Sequence, residues 1–484
     1  MADTTLAPQS NDKREIFGWA MYDWANSAFS TTVGTVFLGP YLASLIETAA
    51  KAEFLTRYGL EWTEAIQAQY PPLTASFFGV PVAPDSFLPY AISLSVGLQV
   101  LFLPILGAIA DYSHLRKRMM QIFALLGAFA TMALFFVAGD LWWLGGVLFM
   151  FANLSFGAAI VFYNAYLPDI ASEDRRDSVS SYGWAMGYLG GGLLLVGNLA
   201  LFLLRDTLGI ESGLAVRINL LSAGLWWFGW SFLTFARLRP RHAVRQLPPG
   251  ANYLTIGFKQ LGQTFREAKH YPHTIRFLLA YLLYNDGIQT VIGVAATFAA
   301  APVIRGGVGI EQGTLTGVIL LIQFVAFGGA LGFGWLAGRI GAKNALMGSL
   351  VIWALVVIYA YAGMQSDAPL FGMRQREFEF IILGVFIAIV LGGSQAISRS
   401  LFSQMIPPGK EAEFFAIYEV SERGTSWFGP LLFGVVNQAL GSLRPAILSL
   451  IFFFVVGLMA LNLFVDVPRA IRESKLSAVG AGAD

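Results

Sequence analysis

Residues 17–46 read FGWAMYDWANSAFSTTVGTVFLGPYLASLI, and in these thirty residues Asp23 carries the single charge. A bilayer core is crossed by roughly 20 apolar residues at about 1.5 Å each, so the run is long enough to span. Its polar residues are not scattered. Asp23, Asn26, Ser27, Ser30 and Thr31 recur at i, i+3, i+4, i+7 and i+8, which puts all five on one helix face. An ionisable group inside a span costs roughly 2.5–3.5 kcal/mol on insertion scales. That face must therefore look into a helix bundle or its cavity, not into lipid.

Eleven further runs of the same kind follow, at about 87–111, 119–139, 142–167, 180–204, 214–236, 274–300, 313–338, 344–364, 377–403, 411–440 and 445–466. Spans 3 and 4 nearly fuse at Gly139-Asp140, and only Gly441 to Arg444 separates spans 11 and 12. Composition agrees. Hydrophobic residues make up 56% and charged residues 13%, against a usual charged share of about 25%. Mean hydropathy is +0.62. The chain is expected to be an all-α integral membrane protein of twelve transmembrane helices, with the lipid bilayer as its solvent.

The same numbers exclude other classes. A net charge of +1 leaves no nucleic-acid footprint. The absence of cysteine removes disulfides, thiolate metal sites and thiol nucleophiles. His114, His242, His270 and His273 all lie outside the strongly apolar runs, so no haem, zinc or other cofactor is expected. The polar first sixteen residues show no signal-peptide pattern. No Gly-x-x-x-x-Gly-Lys-Ser/Thr loop is present to drive an ATP-powered pump. Neither His-Glu-x-x-His nor Gly-x-Ser-x-Gly occurs, and an enzyme is not expected.

Lysine and arginine orient the spans. With the N-terminus inside, the inner segments hold 20 basic residues and the outer loops 7. Both termini are then cytoplasmic. The longest inner connection divides the chain into an N-terminal segment 1–16, a six-helix half 17–236, a central loop 237–273, a second six-helix half 274–466 and a tail 467–484. The outer segment 47–86, with Pro71-Pro72, reads as a surface loop carrying a short amphipathic helix.

Polar stripes recur in the second half. Span 7 carries Asn285, Asp286, Gln289 and Thr290, with Asp286 about 18 Å into its helix and near midplane. An acid held there, away from water, is costly as an anion and suited to take up a proton. Span 11 carries Glu419, Glu422, Arg423 and Ser426 on one face, and span 10 adds Gln395, Ser398 and Arg399. Glu419 and Arg423 stand i, i+4. The acids of span 11 and the two arginines are expected to balance one another. Asp23, Asn26, Asn164, Asp286, Gln289 and Gln395 are the substrate or proton candidates.

Two six-span halves imply a duplicated transporter. Span 2 ends Gly107-Ala108-Ile109-Ala110-Asp111 before Arg116-Lys117-Arg118, and span 8 ends Gly334-Trp335-Leu336-Ala337-Gly338-Arg339-Ile340-Gly341 before Lys343. Both resemble the Gly-x-Leu-Ala-Asp-Arg-x-Gly-Arg-Lys signature of the major facilitator superfamily. Tyr112 stands where the first copy would have a basic residue, and Gly338 where the second would have its acid. A cytoplasmic gate is expected from Asp111, Arg116, Lys117, Arg399, Glu419, Glu422 and Arg423.

Tyr22-Asp23-Trp24-Ala25-Asn26-Ser27-Ala28-Phe29, Asn164-Ala165-Tyr166-Leu167-Pro168, Gly190-Gly191-Gly192, Ser398-Arg399-Ser400-Leu401-Phe402 and Pro407-Pro408-Gly409-Lys410-Glu411-Ala412-Glu413-Phe414-Phe415 together narrow the resemblance. They look like the vacuole-effluxer family, the autophagy-related vacuolar permeases of that superfamily. The resemblance implies the release of neutral amino acids, the role associated with the fungal relatives. The short chain looks like a prokaryotic member in the plasma (inner) membrane. Span 4 lacks the arginine that many proton-coupled superfamily members carry, so their coupling scheme does not transfer.

A secondary transporter is the leading expectation. It would act as a monomer on a small neutral or zwitterionic solute, possibly with protons. The competing class is a non-transporting membrane assembly factor on the same fold. A transporter should gather Asp23, Asp286 and Glu419 around a solvent-filled cavity, whereas an assembly factor would bury them.

Overall fold

The computed structural model describes residues 11–63, 69–70, 73–111, 115–240, 271–423 and 428–480. The central loop expected at 237–273 therefore lies mostly outside the described residues, as do the ends of both tails. Within them the chain is almost wholly helical. The spans are α1 Lys13–Tyr58, α2 Phe87–Asp111, α3 Arg116–Ala133, α4 Trp142–Asn164, α5 Arg176–Leu204 and α6 Ser212–Arg237. They continue with α7 Pro272–Ala300, α8 Gln312–Ile340, α9 Ala342–Ala362 and α10 Gln375–Gln404. Helix α11 is described over Glu411–Arg423 and Phe428–Leu440. Then come α12 Leu443–Phe464 and a terminal amphipathic helix, α13 Val467–Gly480.

Among the described residues, ten helices are long and apolar enough to cross a membrane. The two expected spans outside that ten are α6, which carries Arg217, Asn219 and Arg237, and α11, whose residues 424–427 lie outside the described residues. All twelve expected runs map onto helices in order.

Helix α1 departs from expectation at both its middle and its end. Phe29–Phe37 forms π-type turns, in which the backbone bonds reach five residues instead of four. The helix then runs twelve residues past the expected boundary at 46, to Tyr58. Ile46, Ala50 and Phe54 stay buried on one face, while Glu47 and Lys51 pair at 2.6 Å on the other. The amphipathic helix expected within 47–86 is thus a direct continuation of α1. The remainder holds a two-stranded hairpin, β1 Ala75–Phe77 and β2 Val80–Val82. A second hairpin, β3 Pro369–Leu370 and β4 Met373–Arg374, leads into α10.

The packing repeats from one half to the other. In the first half α1 packs on α5 and α6, α4 on α2 and α3, and α3 on α6. In the second, α7 packs on α11 and α12, α10 on α8 and α9, and α9 on α12. Adding six to each number of the first set gives the second. The contacts between halves obey the same rule, since α2 against α11 answers α8 against α5, and α4 against α11 answers α10 against α5. The fold is therefore two pseudo-symmetric six-helix halves.

Lipid offers no hydrophobic drive between helices, so close packing has to come from small residues. Helices α8 and α10 touch backbone to backbone. A Cβ on Gly392 would lie 2.3 Å from the Ala326 carbonyl oxygen, and one on Gly329 would lie 2.5 Å from that of Ile389. Gly392→Val should destabilise the protein by about 1–3 kcal/mol, the range for overpacking, and lower its thermal midpoint in detergent. Gly348→Ala in α9, where an added Cβ meets open space, should leave the midpoint unchanged or slightly higher.

Candidate functional site

Arg399 sits at the plane between the halves, 24 residues or about 36 Å along α10. A guanidinium offers five N–H donors and has to place them. Here Nη1 pairs with Asp23 Oδ2 at 3.1 Å and also donates to Asn164 Oδ1 at 3.4 Å. Nε donates to Ser180 Oγ at 2.9 Å, and Nη2 to the Ser180 carbonyl at 2.7 Å. Three rings surround the cation, with Trp19, Trp184 and Tyr163 centred 4.9, 5.3 and 5.6 Å away. Trp19 and Tyr163 are themselves stacked at 4.5 Å. The Tyr163 hydroxyl donates to Asp23 at 2.6 Å.

The network continues into α11, where the Asn164 amide donates to Glu419 Oε1 at 2.9 Å. Asp23, Arg399, Asn164 and Glu419 therefore alternate between the first half and the second, on α1, α10, α4 and α11. All four are buried.

Toward the face that carries both termini, a second set of polar contacts joins the halves. Arg116 pairs with Asp169 at 2.9 Å and with Glu411 across the interface at 3.2 Å. Arg176 donates to the Ser403 carbonyl at 3.0 Å. Asp177 accepts from Gln404 at 3.2 Å and from the Ser400 hydroxyl.

On the opposite side of the Arg399 cluster lies a cavity of about 200 Å³. Ser27, Ser30, Thr31 and Thr35 of α1 face Gln289 of α7, Gln323 of α8 and Gln395 of α10 across it. Trp184, Gly187 and Tyr188 of α5, Ile292 of α7 and Leu391 of α10 complete the wall. None of the lining side chains is charged. Trp184 both lines the cavity and covers the Arg399 guanidinium, so it forms the floor between the two.

Several expectations from the sequence land here and several do not. The α1 stripe divides: Ser27, Ser30 and Thr31 line the cavity, while Asp23 and Asn26 are buried beneath it. Gln289 and Gln395 reach the wall, and Gln395 also donates to Asn285 at 2.9 Å. Asp23, Asp286 and Glu419 do not surround the cavity, contrary to expectation, because each is drawn into a buried contact of its own. Asp286 Oδ2 accepts from the Gly429 backbone N–H of α11 at 2.8 Å. Its Oδ1 has no hydrogen-bond partner among the described residues.

Arg399 is met by Asp23, not by the α11 acids expected to balance it. Glu422 instead accepts from the Tyr281 hydroxyl at 3.0 Å. Of the expected gate, Arg116 bridges the halves. Lys117 stays within the first half, donating to the Leu238 carbonyl at 2.6 Å. The side chains of Asp111 and Arg423 lie outside the described residues. Sequence reading missed Asp169, Arg176, Asp177 and Glu411 in the latch, and Trp184, Tyr188 and Gln323 in the wall. Asp169 directly follows the Asn164–Pro168 run and Glu411 falls inside the Pro407–Phe415 run. Trp184 and Tyr188 stand i, i+4 on the Gly187 face of α5.

This architecture, a buried polar interface between two pseudo-symmetric six-helix halves, is that of the major facilitator membrane proteins. The solved proton:xylose symporter XylE, bound to 6-bromo-6-deoxy-D-glucose, shares the fold with a TM-score of 0.66 and 11% identity over 96% of this chain and 98% of its own. The family model described as "Vacuole effluxer Atg22 like" matches residues 11–475, and the chain belongs to that family. The "uncharacterized MFS-type transporter YxiO" of Bacillus subtilis is 29% identical over 92% of this chain and 93% of its own. Autophagy-related protein 22-1 of Penicillium rubens is 26% identical over 98% of this chain and 92% of its own.

Removing one partner of a buried ion pair leaves the other charge uncompensated, at about 3–5 kcal/mol. Arg399→Ala should cost about that much in detergent unfolding. Asp23→Ala combined with Arg399→Ala should cost less than the sum of the two single changes, and a double-mutant cycle measures the difference.

Proposed function

We propose that the protein is a secondary transporter that moves a small neutral or zwitterionic solute by alternating access. The observation that carries this reading is the uncharged polar cavity between the halves, closed on one side by the Arg399 cluster and the Arg116 latch. At about 200 Å³ it is smaller than drug-sized sites of about 300–1,000 Å³. Hydroxyls and amides suit a polar solute without net charge. A phosphorylated substrate would call for an Arg/Lys clamp, which the wall lacks. Neutral amino acids fit these terms, and the family's description as an effluxer supports the same direction of thought.

In this reading both termini are cytoplasmic and the membrane is a prokaryotic plasma membrane. The latch then closes the cytoplasmic side, and the cavity belongs to the outward-facing state. The halves 17–236 and 274–466 are the moving bodies, and one copy of the chain suffices. Burial of Asp23, Asp286 and Glu419 would equally suit a non-transporting assembly factor. The cavity favours transport, since a closed scaffold has no use for it.

Protons accompany the solute through Asp286. Its Oδ1, without a hydrogen-bond partner among the described residues, offers a place for a proton, and Gln289, one turn along α7, connects it to the cavity wall. The test is uptake and counterflow in proteoliposomes with a labelled panel of amino acids and small metabolites. Counterflow of any panel member supports a transporter, whereas inertness across the panel favours the assembly factor. Asp286→Asn should abolish flux driven by a pH gradient and keep counterflow. Gradient-driven flux at the native rate would make Asp286 structural only.

A further inference from the structure

Two loops unrelated in sequence make the same strained turn. In the first hairpin Phe77 pairs with Val80 across Phe78-Gly79, with φ of +48° and +85°. In the second Leu370 pairs with Met373 across Phe371-Gly372, with φ of +50° and +81°. Both are two-residue loops with positive φ at both central positions, the type I′ arrangement. Glycine accepts that conformation freely. The residue before it is usually asparagine, aspartate or a second glycine, and a bulky side chain there is an outlier. Here it is phenylalanine twice, 86% exposed at Phe78 and 80% exposed at Phe371.

The two tips lie on one face and meet corresponding spans, although their loops do not correspond. Helices α1 and α9 both run from the face bearing the termini, so the loops after them lie on the opposite face. Phe78 meets Trp143, the second residue of α4, edge-on at 6.4 Å. Phe371 meets Phe378, the fourth residue of α10, at 5.3 Å. The internal repeat equates α4 with α10. Each tip thus stands against the first turn of a corresponding span.

Neither tip is free to turn its ring away from water. The first hairpin is tied to α1 by the Ser76 N–H, which donates to Glu53 at 3.0 Å. The second is tied to α10 through Arg376, which pairs with Asp367 at 2.9 Å and donates its backbone N–H to the Ser366 carbonyl at 3.1 Å. A strained backbone thus presents an apolar ring outward from a fixed mount.

We propose that both hairpin tips insert into the lipid headgroup–acyl boundary of the leaflet opposite the termini, and anchor the entrances of α4 and α10 there. The occupant is lipid because the tips continue the apolar girdle of the spans. Trp143 and Phe378 begin two membrane helices, and aromatic rings at that depth form the interfacial belt. Lipid also recovers the apolar exposure that water would penalise.

The protein has no native cysteine, so single spin labels are clean. Phe78→Cys and Phe371→Cys are labelled in reconstituted bilayers, and collisions with oxygen are compared with those of a water-soluble nickel chelate. Asp206→Cys in the α5–α6 turn of the same face is the aqueous reference, and lipid-exposed Phe151→Cys in α4 the membrane one. Both tips should read between the references, with oxygen favoured over the chelate. Readings equal to Asp206 would overturn the proposal and leave the rings for a protein partner. A further arm places the label at Val80 with Phe78→Asn, which suits the turn better than phenylalanine. The hairpin should persist, and the Val80 reading should shift toward water. No shift would mean that Phe78 does not hold the hairpin at the boundary.

Discussion

A guanidinium buried between two halves of a membrane protein has to be fully partnered, and the arrangement around Arg399 follows from that demand. Asp23 supplies the opposite charge, Ser180 two acceptors, and Asn164 an amide that relays to Glu419. Helix α5 has to come close to do this. A Cβ on Gly183 would lie 2.8 Å from Asp23 Oδ2 and 2.9 Å from Arg399 Nη2, so only glycine fits there. The aromatic rings exclude water and face the cation with their negative faces. Burial makes such a pair a poor source of net stability but a strict one, since neither charge can be abandoned alone. The halves can part here only if each charge finds a new partner.

The symmetry of the helices is not a symmetry of the chemistry. The helices pair by the same rule in both halves, yet the acid of α1 meets an arginine while the acid of α7 accepts from a backbone N–H of α11. The two acids occupy corresponding spans and were both candidates on the same grounds. Duplication thus supplies the scaffold, and single substitutions give each copy a different electrostatic role.

How much was legible follows from what each signal depends on. Spans depend on local hydropathy, and twelve were readable. The α1 stripe depends on helical spacing, and Ser27, Ser30 and Thr31 do line the cavity. Partner choice depends on tertiary position. Asp23 and Arg399 are 376 residues apart, and the acids of the next span, Glu419 and Glu422, read as the nearer partners. The amphipathic helix in 47–86 was legible, but not its continuity with α1, because the charges at Glu47 and Lys51 end the apolar run while Ile46, Ala50 and Phe54 carry the same helix on to Tyr58. The hairpins escaped notice because Phe-Gly is not the usual sequence of a type I′ turn.

The π-type turns at Phe29–Phe37 fall where α1 passes from the buried cluster to the cavity wall. A π turn holds one residue more than the α turn it replaces, and each residue of an α-helix advances the azimuth by about 100°. The segment is therefore a phase adjuster. Tightening its surplus residue back into α geometry would keep the rod intact while rotating everything beyond it, much as removing one tooth changes the meshing of a gear. Asp23 would hold its bearing, and Thr35 would turn off the wall. A one-residue deletion in this stretch is thus a change of address for the outer hydroxyls, not a break in the helix.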